Sequence, residues 1–111
     1  MKFLIVLVAL INAVFAVGGW STVSAANDFT LYQKMKSWQP QVEAFTGRKF
    51  SVFEPLEFQT QIVAGTNYNI TYAVGNGQTI NVKVFQPLPY TNAPAQVTSV
   101  SVAPQAVIIL I

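Results

Sequence analysis

The spacing of apolar residues along the chain separates a leading segment, one helix and a set of strands. Met1-Lys2 is followed by an unbroken apolar run from Phe3 to Leu10, and residues 17–27 are then small and polar, rich in Gly, Ser and Ala. Beyond this flexible leader, Leu31, Met35, Trp38, Val42 and Phe45 recur at spacings of four, three, four and three. That is one stripe of an α-helix, with Lys34, Lys36, Gln41 and Glu43 away from it. Asn27 or Asp28 is placed to cap its start, since a short side-chain oxygen accepts from the free N–H groups of the first turn. Pro40 interrupts the pattern: an interior proline removes a helical hydrogen bond and costs about 3 kcal/mol or more unless the helix kinks. The stripe keeps phase on both sides, so a helix kinked around Pro40 is expected, closed at Thr46-Gly47 by a left-handed glycine cap.

From Phe50 onward the period becomes two. Phe50 to Val63 is rich in β-formers, with Pro55 implying an edge position or a bulge. Tyr68, Ile70, Tyr72 and Val74 alternate with Asn67, Asn69, Thr71 and Ala73, which predicts a half-buried strand. Gly75-Asn76-Gly77 tolerates positive φ and predicts a hairpin turn into a return strand carrying Ile80, Val82 and Val84. Residues 86–94 contain three prolines and read as a loop, and Val97 to Val102 supplies a last strand. One helix followed by an antiparallel meander is an α+β arrangement, the apolar stripe lying on one face of the sheet.

The start of the chain bears on its destination. Lys2, the apolar run and Val14-Phe15-Ala16 have the order of a secretory signal with cleavage after Ala16; the run is too short for a span of about 20 residues and breaks at Gly18-Gly19. A second site, Val23-Ser24-Ala25, would leave an overlong segment before the cut. The expected division is residues 1–16 as signal, 17–27 as leader and 28–111 as one domain, secreted or held within the secretory and endolysosomal pathway.

Charge and composition remove several classes of function. Residues 17–111 carry Lys34, Lys36, Arg48, Lys49 and Lys83 against Asp28, Glu43, Glu54 and Glu57, with no basic stripe for a nucleic acid. Histidine and cysteine are absent, so nucleophilic triads, His-based metal sites and thiol chemistry have no raw material, and no metal or other cofactor is expected. Glu54 and Glu57 are three apart in a predicted strand and point to opposite faces, which argues against a carboxylate dyad. The chain is not expected to be an enzyme. Its last six residues, Ala106 to Ile111, are apolar but too few to cross a bilayer or to direct a lipid anchor, so they read as an added edge strand and not as a membrane attachment.

The most specific segment is Gln61-Ile62-Val63-Ala64-Gly65-Thr66-Asn67-Tyr68. A tight turn accounts for Gly65, but it does not ask for an apolar Ile62-Val63-Ala64 tip, which lowers solubility unless a partner covers it. The segment resembles the Gln-x-Val-x-Gly first binding hairpin of cystatins, and Thr66-Asn67-Tyr68 extends the likeness to the stefins. Gly18-Gly19 resembles the stefin N-terminal glycine pair, and Pro40-Gln41 resembles the Pro-Gln pair that the stefin helix commonly reaches and accommodates. Lys83-Val84-Phe85 followed by Leu88-Pro89 resembles the stefin fourth strand and second binding loop. The chain departs from that pattern in its signal segment and its apolar C-terminus, and it lacks the disulfides and Pro-Trp loop of secreted animal cystatins.

This resemblance implies a reversible, non-covalent, competitive inhibitor of papain-like, cathepsin-type cysteine endopeptidases. Val17, Gly18 and Gly19 would lie in the non-primed side of the protease cleft. Gln61, Ile62, Val63, Ala64 and Gly65 would cover the catalytic pair, and Leu88 and Pro89, with Tyr90, would pack on the primed side. It implies a monomer, with a domain-swapped dimer as the other arrangement open to the fold. The competing reading is a secreted binding or structural module that keeps the fold without inhibiting, since fold alone does not decide function. Asn69-Ile70-Thr71 is also an N-glycosylation sequon, and strand alternation predicts that the Asn69 side chain faces solvent.

Overall fold

Asp28 begins the helix: its Oδ1 accepts from the Leu31 N–H at 2.9 Å. In the computed structural model, which describes residues 19–102, the helix runs as α1 (Phe29–Lys36) and α2 (Gln39–Thr46). The expected signal segment 1–16, Val17, Gly18 and the apolar run 106–111 lie outside the described residues. The bend falls at Ser37-Trp38, ahead of Pro40, which occupies the first turn of α2 where a missing N–H removes nothing. At the bend the Tyr72 hydroxyl donates to the Met35 carbonyl at 2.7 Å, and the Trp38 N–H reaches the same oxygen at 3.3 Å. Burial in this contact pushes the Tyr72 phenol well above its ordinary pKa. Gly47 closes α2 with φ +72°.

Five antiparallel strands follow the order β1-β2-β3-β4-β5: β1 (Ser24–Ala25), β2 (Glu54–Val63), β3 (Gly65–Gly75), β4 (Gln78–Pro87) and β5 (Gln96–Val102). The expected bulge lies between Pro55 and Glu57. The turn from β3 to β4 places Gly75, Asn76 and Gly77 at φ +99°, +57° and +72°. The bent helix packs on one face of the sheet. Met35 and Val42 are fully buried there with Ile70, Tyr72, Val82 and Val84, and the Phe53 ring stacks on Tyr72 at 4.0 Å. Each such side chain contributes about 1.5–3 kcal/mol on leaving water. Outside the core, Tyr32 donates a hydrogen bond to Glu54, whose other oxygen lies 3.7 Å from Lys36 Nζ, and this ties α1 to β2. Glu54 thus turns toward the helix while Glu57 lines the opposite face.

Three expectations change. Phe45, the last member of the helical stripe, is 53% exposed; it sits in the final turn of α2 and lines an open groove with Phe50, Val100 and Val102. The leader is not free throughout, because Ser24 and Ala25 pair with Phe58 and Glu57, and the Ala26 N–H reaches the Leu56 carbonyl at 2.9 Å. Backbone bonds hold this stretch, and its exposed side chains leave no periodicity to announce a strand. Asn69 is half-buried in place of solvent-facing: in a central strand between Gln59 and Lys83, its amide donates to Gln59 Oε1 at 3.3 Å while its own Oδ1 is buried and unpartnered.

Candidate functional site

The β2–β3 hairpin turns through Ala64 alone, since Val63 and Gly65 are register partners. Ile62 and Val63 are 65% and 39% exposed, and Ala64 is exposed too, so three consecutive apolar residues meet solvent at this tip. Gln61 supports it from below: its Oε1 accepts from Asn67 Nδ2 at 3.0 Å across the two strands. Gly65 differs from its neighbours in being buried, with φ +133°. It pairs with Pro87 at the end of β4, so the hairpin tip and the next loop share one rung of the sheet.

That next loop is a self-braced turn. β4 runs on to Pro87, further than the prolines of residues 86–94 suggested, and Pro89–Thr91 form a single 3-10 turn. The Leu88 carbonyl accepts from the Thr91 N–H at 3.0 Å and from its hydroxyl at 2.7 Å, and Asn92 closes the turn at φ +56°. Leu88 is half-buried, while Pro89 is exposed and Tyr90 is 81% exposed. Between this loop and Gly65 lies a recess of about 310 Å³, with Tyr68 and Lys34 on its helix side.

The leader arrives at the same edge. Ser21 donates from its N–H to the Thr60 carbonyl at 2.8 Å, and its Oγ accepts from the Thr60 N–H at 3.0 Å. Gln59 Nε2 adds a third bond to the Ser21 carbonyl at 3.1 Å. Ser21 thus sits beside Thr60, three residues short of Val63 at the hairpin tip, and the antiparallel direction leads the preceding chain toward that tip. Gly19 is exposed, and a β-carbon added there would meet nothing within 4 Å. The sequence reading named Gly19, Gln61–Gly65 and Leu88-Pro89; it did not name Ser21, Gln59 and Thr60, which seat the leader and whose polar side chains carry no signal of their own. Val17 and Gly18 lie outside the described residues.

No residue among Gly19, Gln61–Gly65 and Leu88-Pro89 is ionisable. What this edge presents is exposed apolar surface at the Ile62-Val63-Ala64 tip, beside the Leu88-Pro89 turn. A family model for the cystatin domain matches residues 25–105. The chain belongs to the cystatin family. Cystatin-B of Bos taurus is 39% identical over 84 residues, covering 74% of this chain and 83% of the bovine protein. Cystatin-B of Mus musculus is 44% identical over 59 residues, 53% of this chain and 60% of the mouse protein. Cystatin-A1 of Sus scrofa is 39% identical over 62 residues, 56% of this chain and 60% of the porcine protein. Within the family this cystatin is stefin-like, in keeping with the resemblance carried by Gln61–Gly65 and Leu88-Pro89.

Proposed function

We propose that this cystatin is a reversible, non-covalent, competitive inhibitor of papain-like, cathepsin-type cysteine endopeptidases. Cystatins are inhibitors of cysteine proteases and not enzymes. One observation carries the finer reading: the exit of the leader at Gly19, the exposed tip Ile62-Val63-Ala64 and the Leu88-Pro89 turn share one edge of the sheet. This edge enters the protease cleft, with the leader on the non-primed side, the hairpin over the catalytic cysteine and histidine, and Leu88-Pro89 with Tyr90 on the primed side. The tip offers side chains and not a scissile carbonyl to the thiolate, so the complex forms and dissociates without covalent chemistry. A non-inhibitory scaffold has no use for the glycine at position 19, where the fold accepts a side chain freely.

The protein acts as a monomer, and residues 1–16 direct it into the secretory pathway in this reading. Titration of papain and of trypsin with the 17–111 protein tests the function. Papain is inhibited competitively and recovers on dilution, and trypsin is untouched. No inhibition of papain at micromolar protein rejects the proposal.

A further inference from the structure

Trp20 is the one aromatic residue of the leader, and it stands outside the hydrophobic core. Its ring centroid lies 5.9 Å from Lys83 Nζ, within the range in which a cation is drawn to the face of an aromatic ring. The strand register sets Gln59, Asn69 and Lys83 in one rung across β2, β3 and β4. The Trp20–Lys83 contact therefore joins the leader, seated against β2, to β4, across both β2 and the strand β3 that carries Asn69. Among the described residues Lys83 has no carboxylate partner, and Trp20 is 37% exposed.

We infer that Trp20 and Lys83 form a clasp that sets the direction in which the leader leaves the sheet, making both of them positioning residues for its contact with the protease. The inference rests on the inhibitor reading above. The three hydrogen bonds of Ser21 fix where the chain joins β2, but they leave the torsions of Trp20 and Gly19 free to turn the preceding chain through a wide arc. A second tether one residue upstream narrows that arc toward the hairpin tip. Less freedom is then lost on binding, and the gain appears in affinity without any new contact to the protease. The clasp acts on binding through the residues ahead of Trp20, and that effect disappears when they are removed.

Two measurements on the folded protein decide this. The first is hydrogen exchange of the Ser21 amide by NMR in the wild type and in Lys83→Gln, which keeps the length of the side chain and removes the charge. Exchange quickens by about two- to fivefold, the worth of one exposed cation–π contact; an unchanged rate overturns the clasp, whether or not papain is inhibited. The second is the papain inhibition constant of Trp20→Ala, Lys83→Gln and the double variant, each with the leader present and with it deleted through Gly19. Both single changes weaken inhibition by a similar two- to fivefold through faster dissociation, the double variant is no worse than the more damaging single one, and all three effects vanish once the leader is removed. Equal losses without the leader, additive losses, or no loss beside quickened exchange overturn the positioning role. A wild-type protein that fails to inhibit papain rejects the inhibitor reading and with it that role, and the exchange measurement still decides whether the clasp exists.

Discussion

A β-carbon placed on Gly65 would fall 2.5 Å from the carbonyl oxygen of Gln86, and 2.8 Å from the Phe85 ring. Gly65 is thus required twice, by its φ of +133° and by the close approach of β4 that joins the hairpin to the second loop. Gly65→Val is expected to cost about 2–4 kcal/mol of stability through strain and forced separation of the two strands. A thermal melt checks this, and a melting temperature within a degree of wild type would contradict it.

Val63 separates the two roles of the hairpin, because it is exposed at the tip and absent from the core. Val63→Asp is expected to change stability by no more than about 0.5 kcal/mol. It should weaken papain binding by on the order of a hundredfold, since it places a charge in a desolvated contact worth about 2–3 kcal/mol. A melt and an inhibition constant on one preparation test both halves. Unfolding of the variant would assign Val63 to the core and not to a protease-binding ridge.

Deleting the leader through Gly19 spares the Ser21–Thr60 bonds and the pairing of β1. The melt of the shortened protein should match that of the 17–111 protein, while the complex with papain dissociates faster at a nearly constant association rate. Stopped-flow association and displacement experiments separate the two rates. Loss of the thermal transition would make the segment structural.

Glu43 supplies a pH dependence remote from the binding edge. Its carboxylate accepts from the Phe50 N–H at 2.9 Å and from Gln39 Nε2 at 3.0 Å, and Lys49 Nζ lies 3.9 Å away. The Phe50 hydrogen bond first, then Gln39 and Lys49, hold its pKa below the usual 4.5. Between the lowered folded value and the unfolded one, the unfolded chain binds more protons, so stability rises with pH there. This contribution is complete above the ordinary glutamate range and is lost as pH falls through the lowered folded value. Glu43→Gln should therefore melt below wild type at pH 7, with the gap closing on acidification past 4.5. Melts across pH 2.5–7 read it, and a gap independent of pH would assign the loss to packing alone.

Much of this protein is local in origin and so was legible in its residues. The stripe Leu31-Met35-Trp38-Val42, the alternation of Tyr68 to Val74 and the Gly75-Asn76-Gly77 turn each follow from periodicities of 3.6 or 2 and from φ preferences that act within a few residues. The Gln61–Gly65 tip was legible for a related reason: an apolar turn contradicts the local rule that turns are polar, and such contradictions mark surfaces made for a partner. Tertiary structure decided what depends on residues far apart in the chain. The bend at Ser37-Trp38 is held by Tyr72, the edge seat of Ser21 depends on Thr60 and Gln59, and the shelter of Asn69 depends on strands on both sides. Gly65 belongs to both classes. Its positive φ suits the turn, but its need for an absent side chain comes from Gln86, which only the folding of β4 against β3 brings within reach. Hydrogen bonds and steric exclusion act over a few ångströms of space, and a distance in space is set by the fold and not by separation along the chain.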